Sequence, residues 1–260
     1  MVEQHSTTRM IICVVEYEGT RYHGFQLQAQ EPTIQRELEQ AIEKLTGEQI
    51  RVIGASRTDA GVHANGQVIG FKTRSALKNS NFIDGLNYHL PQDIAIKAAR
   101  QIDSNFRLRK EAKNREYRYR VLSSPQRSAL QVNRAYQVGT PLDIDAMHEA
   151  SQELIGKGDF ASFTQADNYS ESTVRTVYEA KASKEGELVL FDIKADSFLK
   201  QQIRRTVGTL LRVGTGELKI EAFRGIINAK KYGLAGPTAP PYGLYLMKIN
   251  YDIDIYGEEE

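Results

Sequence analysis

A single aspartate in a turn between two strand-like segments is the residue of this chain best placed to do chemistry. Asp59 lies in the small-residue stretch 56–64, which reads Ser-Arg-Thr-Asp-Ala-Gly-Val-His-Ala. An aspartate in such a turn commonly bonds to its own backbone, and that is the structural interpretation of Asp59. An ionised carboxylate presented at strand ends can instead act as a nucleophile or a base. The choice depends on what the rest of the chain supplies.

A second candidate group is the alternation of Tyr117, Tyr119 and Val121 with Arg118 and Arg120. A strand here places the aromatic side chains on one face and the guanidinium groups on the other. This is the ordinary pattern of a half-buried strand with a charged outer face. The alternative is an aromatic platform beside phosphate-binding charges, and the pattern alone fits both.

Charge is distributed unevenly along the 260 residues. The formal net charge of +1 argues against a uniformly basic nucleic-acid binder. Residues 107–120 nevertheless hold seven basic and two acidic side chains. Such a cluster predicts phosphate contacts and salt-dependent binding to a nucleic acid. Lys200 and Arg204, predicted to lie one turn apart on a helix, form the kind of pair that is usually solvated surface.

The sequence lacks the motifs of most familiar enzyme classes, which excludes those classes as functions. The chain has no Gly-rich phosphate loop, no His-Glu-x-x-His arrangement and no Gly-x-Ser-x-Gly elbow. Its five histidines are scattered and Cys13 is its only cysteine, so we expect neither a metal site nor an internal disulfide. The polar start and the lack of a long apolar run predict no membrane association and a cytoplasmic location.

The elements that must position these residues are short strands in hairpin-like pairs with helices between them. Residues 50–54 and 67–72 are predicted strands on either side of the Asp59 turn. Thr33 and Gly47 are the predicted caps of an earlier helix. A later helix is predicted over residues 198–213, with Asp196 or Ser197 as its cap, and a closing strand over residues 244–251. This order predicts an α+β fold with antiparallel sheets.

Five separated segments, in the same order, resemble the tRNA pseudouridine synthase A family. The resemblance spans nearly the whole chain. The Asp59 segment is highly specific, whereas the tyrosine pair or the proline-rich loop alone would be a weak signal. The matching segments are Tyr22-His23-Gly24-Phe25-Gln26, residues 56–64, Arg115-Glu116-Tyr117-Arg118-Tyr119, residues 198–208 (Phe-Leu-Lys-Gln-Gln-Ile-Arg-Arg-Thr-Val-Gly), and residues 236–241 (Gly-Pro-Thr-Ala-Pro-Pro) followed by Gly243-Leu244-Tyr245-Leu246.

The resemblance implies an α+β fold of two RNA-recognition-motif-like halves. Their antiparallel strands would be joined into one mixed sheet flanked by helices, with a central cleft. We expect an N-terminal half at residues 1–108 carrying Asp59 and a C-terminal half at residues 109–260 carrying Tyr117 and Arg204. The family also implies tRNA as the partner, a homodimer, and no cofactor or metal.

The activity that the resemblance implies is isomerisation of uridine to pseudouridine in the anticodon stem-loop of tRNA, at tRNA positions 38, 39 and 40. Carried over by motif, Asp59 is the catalytic nucleophile or base and Arg204 is its partner. Tyr117 is the aromatic beside the target uracil, and Arg57 is implicated in extruding the base. Attack on C1′ and removal of the C2′ proton both fit this assignment.

The chain departs from the family pattern at Ser56, Leu108, Lys110 and Gln202, where a glycine, a small residue, an aromatic and an apolar residue are expected. These departures bear on local packing and on substrate preference, and they leave the candidate chemical groups intact. One alternative function is a catalytically silent RNA-binding module that recognises structured RNA by shape and stacking, which would not need Asp59. A second is a small-molecule hydrolase with an aspartate nucleophile, against which the basic cluster argues.

Overall fold

Strands and helices alternate through a chain that divides into two units. The computed structural model describes residues 8–166 and 172–256. The first unit comprises the described residues of 1–113 and 246–260, and the second comprises those of 114–245. The segment after residue 245 therefore returns to the first unit, which is built from both ends of the chain.

The described part of the first unit contains two helices and five strands, of which β1 to β4 pair antiparallel with their neighbours among themselves. Its strands follow the order β4-β1-β3-β10, and β2 also pairs with β3. The helix α2 packs against β4 and against α1. The elements are β1 (Arg9–Tyr17), α1 (Ile34–Thr46), β2 (Ile53–Gly54), β3 (His63–Thr73), α2 (Asn79–His89), β4 (Ile94–Ile102) and β10 (Leu244–Asn250).

The second unit contains the remaining strands and three helices. Its strands follow the order β5-β9-β8-β7, and β6 pairs with β5 in parallel. The helix α3 packs against β8, α4 and α5. The elements are β5 (Asn114–Ser123), β6 (Tyr136–Val138), α3 (Ile144–Gln152), β7 (Gly156–Asp159), β8 (Val174–Glu185), β9 (Leu188–Ala195), α4 (Gln202–Gly214) and α5 (Ile220–Ala229).

The α+β class with a mixed sheet flanked by helices is confirmed. The described residues hold ten strands and five α-helices, and the parallel β5–β6 pair makes the sheet mixed. The helix α1 follows its local signals, because the Thr33 side chain accepts a hydrogen bond from the Arg36 amide and Gly47 takes the left-handed conformation. None of the helices described is long and apolar enough to cross a membrane.

The prediction for the later helix was wrong at its start. The helix α4 begins at Gln202, four residues after the predicted position, and Gln201 before it has a φ of 58°. The carboxylate of Asp196 bonds instead to the amides of Thr176 and Ser197. The buried Gln202 side chain accepts a hydrogen bond of 2.8 Å from the Leu199 amide, which fixes the turn before the helix. This contact explains a glutamine where the family pattern has an apolar residue.

Candidate functional site

The Asp59 turn joins β2 to β3 and lies at strand ends, as predicted. The amide of Val62 donates to the Asp59 carbonyl at 3.2 Å, and Gly61 between them has a φ of 76°. Glycine adopts this left-handed conformation without the steric cost that other residues meet. The Asp59 side chain is half-buried, whereas Arg57, two residues earlier, is exposed.

The segment that contains Tyr22 and Phe25 makes backbone hydrogen bonds to the Asp59 loop. The Phe25 amide donates to the Thr58 carbonyl at 3.1 Å, and the Gly61 amide donates to the Tyr22 carbonyl at 3.2 Å. The Tyr17 hydroxyl and the Thr58 hydroxyl are 2.8 Å apart in a buried hydrogen bond. The residue directly before Asp59 is therefore fixed by both its backbone and its side chain.

Gly24 shows how closely this segment approaches the loop. It has a φ of +89°, and a Cβ atom at this position would lie 2.7 Å from the Thr58 carbonyl oxygen. Any side chain here would have to displace the backbone that carries Asp59. The Tyr-His-Gly-Phe-Gln motif is thus the support of the Asp59 loop.

The buried side chain of Gln67, on β3, hydrogen-bonds both backbone groups of Ser56, the residue before Arg57. The Gln67 side chain donates to the Ser56 carbonyl at 2.9 Å and accepts from the Ser56 amide at 3.3 Å. The sequence analysis treated Gln67 only as a strand residue. A polar side chain at a position that the strand pattern buries was the signal for this role.

His63 ties the end of the loop to the turn after β1. Its side chain is buried, and its Nδ1 accepts a hydrogen bond of 3.0 Å from the Gly19 amide. A Cβ atom on Gly19 would lie 2.0 Å from the Val62 carbonyl oxygen. Both contacts keep the start of β3 in place.

A second guanidinium group lies beside Arg57. The Arg109 Nε donates to the Gly54 carbonyl at 2.9 Å. Burial, and after it the positive charge of Arg57, lowers the pKa of Arg109. Two cations close together at the Asp59 loop make this part of the first unit suited to an anion such as a phosphate.

In the second unit, Tyr117 lies on β5 directly opposite Ile193 of β9. The side chain is buried and meets the Phe198 ring edge to face, with ring centroids 5.3 Å apart and an interplanar angle of 84°. Aromatic pairs of this geometry hold both rings in defined positions. Phe198 belongs to the non-helical turn before α4.

Tyr119, two residues along β5, is a core residue. Its hydroxyl donates to the Pro240 carbonyl at 2.7 Å, and burial raises its pKa well above the usual value. A Cβ atom on Gly243 would lie 2.6 Å from the Tyr119 ring. The alternation predicted for β5 is present, and it places Tyr119 inside the second unit.

The Arg204 side chain is positioned by the loop at residues 236–241. Its Nε donates to the Ala239 carbonyl at 2.8 Å, and the Ala239 amide donates to the Arg204 carbonyl at 3.0 Å. The loop lies directly on the helix, because a Cβ atom on Gly208 would be 1.7 Å from the Pro237 carbonyl oxygen. The proline-rich loop therefore fixes the orientation of the Arg204 guanidinium.

Much of the basic cluster has partners within its own unit. Arg118 makes two bonds to the Asp192 carboxylate, at 2.7 and 3.1 Å, across the β5–β9 pair. Arg115 donates to the Asp196 carbonyl at 2.6 Å. The outer face of β5 is thus largely the charged face of an antiparallel pair. Arg107, in contrast, is exposed on the first unit.

The four predicted site residues are divided between the two units. Arg57 and Asp59 share one loop of the first unit, while Tyr117 and Arg204 belong to the second. Within the second unit, Phe198 packs on the Tyr117 ring and the Ala239 carbonyl accepts from the Arg204 side chain. The sequence analysis gave no role to Gln67 or Arg109 at this site, and it named Gly24 only as part of a matching segment.

Comparisons with known proteins agree on one family. A family model described as tRNA pseudouridine synthase matches residues 13–109 and 150–252. A protein of Acetivibrio thermocellus named tRNA pseudouridine synthase A is 41% identical over 243 residues, covering 94% of this chain and 100% of that protein. A protein of the same name from Caldicellulosiruptor bescii is 42% identical, with the same coverage of both chains. A solved Cbf5-Nop10-Gar1 complex is 12% identical over 78% of this chain and 54% of its own, with a TM-score of 0.32, too low to carry an argument.

Proposed function

The chain belongs to the tRNA pseudouridine synthase family, and on that premise we propose that it isomerises uridine to pseudouridine in the anticodon stem-loop of tRNA, with Asp59 as the reacting carboxylate. The observation that carries the role of Asp59 is its loop. The loop presents a half-buried carboxylate at strand ends. Its backbone is fixed on both sides of Asp59 by hydrogen bonds to Ser56, Thr58 and Gly61. Positions 38, 39 and 40 of tRNA are the sites that the family resemblance implies.

The reaction needs no group beyond those of the enzyme and the nucleotide. The bond from C1′ to N1 breaks, the uracil turns, a bond from C5 to C1′ forms, and the C5 proton is exchanged for a proton on N1. Reactant and product are isomers, so no electron or group carrier is required. An ionised Asp59 would begin the reaction by attacking C1′ or by taking the C2′ proton to give a glycal.

Arg204 is the group that we assign to stabilise the charge on Asp59. An opposite charge near a carboxylate favours its ionised form in a site that excludes water. The support for this assignment is the family motif together with the hydrogen bond of 2.8 Å that orients the Arg204 side chain.

Arg57 and Tyr117 are assigned to the extruded base. A uridine in a stem is stacked and paired, and flipping it out costs a few kcal/mol. The exposed Arg57 side chain is available to fill the space that the base leaves, and the Tyr117 ring to stack on the uracil. Both roles rest on the motifs that the chain shares with its family.

We further propose that the protein acts in the cytoplasm as a homodimer. The support is the family resemblance. Light scattering during size-exclusion chromatography should give about twice the mass of 29.3 kDa. A mass of one chain at micromolar concentration would contradict the homodimer.

The function is tested with tRNA carrying tritium at C5 of its uridines. Formation of the C5–C1′ bond expels this hydrogen, so tritium release to water measures product. Unmodified tRNA should lose tritium and gain pseudouridine at positions 38, 39 and 40 only. Binding without any release would instead favour the silent RNA-binding module, and modification elsewhere in the tRNA would contradict the proposed positions.

A further inference from the structure

A groove on the first unit extends from β2 to the end of β3 opposite the Asp59 loop and carries an excess of positive charge. It has a volume of about 880 Å³. Residues from the ends of β1 and β3, the turn after α1 and the segment after β4 line it. The charged side chains along it are Arg51, Lys72, Arg74, Arg107 and the single carboxylate Glu48.

The one carboxylate in the groove is already engaged by β3. Glu48 accepts a hydrogen bond of 2.8 Å from the Thr73 hydroxyl and one of 3.1 Å from the Arg74 amide. Arg51 is paired with Glu39 at 3.2 Å, outside the groove. Lys72 and Arg107 are both exposed. The charge of the groove thus contrasts with the net charge of +1 of the whole chain.

Apolar side chains lie among these cations. Ile53 is 46% exposed, and the half-buried Phe106 ring is tilted against Tyr251 with centroids 5.6 Å apart. Cations interleaved with apolar and aromatic surface are the composition that tracks a sugar-phosphate backbone. A binding site for a compact inorganic anion would not need the apolar surface.

The Lys72 end of the groove is remote from the proposed chemistry, whereas its Ile53 end lies on β2, the strand that leads into the Asp59 loop. Lys72 lies near the opposite end of β3 from His63, about 30 Å away at roughly 3.3 Å per residue. The Asp59 loop leads directly into the start of β3. A duplex extends about 3.4 Å along its axis per base pair, so roughly nine base pairs are needed to span about 30 Å, more than a short stem provides. A ligand that contacts both places must therefore extend beyond the stem-loop.

We propose that this groove binds the sugar-phosphate backbone of the tRNA body, outside the anticodon stem-loop. The proposal rests on the proposed function, because it takes tRNA as the substrate. Lys72 and Arg107 supply the phosphate contacts, and Ile53 and Phe106 cover the adjoining sugars. The groove adds affinity for intact tRNA and takes no part in the bond rearrangement.

The test compares the Lys72→Gln/Arg107→Gln double variant with Lys44→Gln, which removes an exposed cation from α1 outside the groove. Dissociation constants for unmodified tRNA are measured across a range of KCl concentrations. Each lost phosphate contact lowers the slope of log K against log salt by about 0.7 to 0.9. For the double variant, the slope of log K against log salt should therefore be smaller in magnitude by about 1.4 to 1.8. Its affinity for tRNA at about 0.1 M salt should be roughly tenfold or more weaker than that of the unaltered protein.

An isolated anticodon stem-loop provides the second arm. Its affinity should fall far less than that of intact tRNA in the double variant, because it does not reach the groove. An affinity for intact tRNA equal to that of Lys44→Gln would overturn the groove as an RNA site. An equal loss for the stem-loop would overturn its assignment to the tRNA body. Tritium release by the unaltered protein reports the proposed function separately, since dissociation constants do not depend on turnover.

Discussion

Tyr117 and Tyr119 lie two residues apart on β5 but differ in what surrounds them. Tyr117 contacts the Phe198 ring, which lies at a turn, whereas Tyr119 is fully buried and bonded to the Pro240 carbonyl. The same residue type on the same strand face is thus assigned two purposes, of which stacking on the uracil by Tyr117 is the proposed one. The sequence pattern predicted the shared face, but only the resemblance separated the roles.

The two tyrosines should respond differently to truncation. Tyr117→Ala should lower kcat/KM about 10- to 100-fold, because a stacking contact contributes about 1 to 3 kcal/mol per base. Tyr119→Ala should instead reduce the free energy of unfolding by about 3 to 5 kcal/mol through the cavity it leaves. Tritium release and urea unfolding of both variants check this, and Tyr117→Phe should restore most of the rate. Equal effects of the two alanines on both measurements would refute the assignment.

Arg204 is predicted to act in catalysis more than in tRNA binding. Arg204→Leu should lower kcat by about 100-fold or more, the usual effect of removing one group that stabilises charge. The dissociation constant for tRNA should change less than about threefold, because the proposal pairs this cation with the Asp59 carboxylate and with no phosphate. Arg212→Leu on the same helix is the matched control. Near-normal turnover of Arg204→Leu would rule out the pairing with Asp59.

At the scale of elements, the Asp59 loop depends on the close approach of the Gly24 backbone to the Thr58 carbonyl. Gly24→Ala would place a Cβ atom 2.7 Å from the Thr58 carbonyl oxygen at a φ of +89°. Gly186→Ala, in the turn between β8 and β9, has a φ of +60° and no atom within 4 Å. Both variants carry the left-handed strain of about 1 to 2 kcal/mol. Only Gly24→Ala adds a collision.

Gly24→Ala should therefore lose about 3 kcal/mol or more of unfolding free energy and most of its turnover, since the loop that carries Asp59 must move. Gly186→Ala should lose about 1 to 2 kcal/mol and keep its turnover. Denaturant unfolding and tritium release measure both quantities. If Gly24→Ala loses no more stability than Gly186→Ala, the Tyr22–Gln26 segment does not support the loop as described.

Local signals predicted some elements well and others poorly. The helix α1 is bounded by Thr33 and Gly47, whose effects are confined to their own turns. The start of α4 was misplaced because it is set by the buried Gln202 side chain and by the Phe198 ring packing on Tyr117. The role of Gln67 escaped prediction for the same reason. Its partner Ser56 is brought to it by the pairing of strands, which spacing alone does not specify.

At the scale of the whole molecule, the family and the fold class were predictable from five motifs. Those motifs lie in short segments whose residue types are visible in one sequence. The return of the last strand to the first unit follows from long-range pairing, as does the placement of Arg109 beside Arg57. Such contacts depend on the complete fold. The charged groove could not be predicted from the sequence for the same reason, because its four cations come from three separate parts of the chain.

The central claim is that one carboxylate of this protein isomerises uridine in tRNA, and single-turnover tritium release tests it most directly. Asp59→Ala is compared with Asp84→Ala, which removes an exposed carboxylate from α2 of the same unit. Loss of a reacting group typically costs about 10⁴-fold or more in rate. Asp59→Ala should release no tritium above the blank while binding tRNA, and Asp84→Ala should match the unaltered protein. Release by Asp59→Ala at a rate near that of Asp84→Ala would contradict the account.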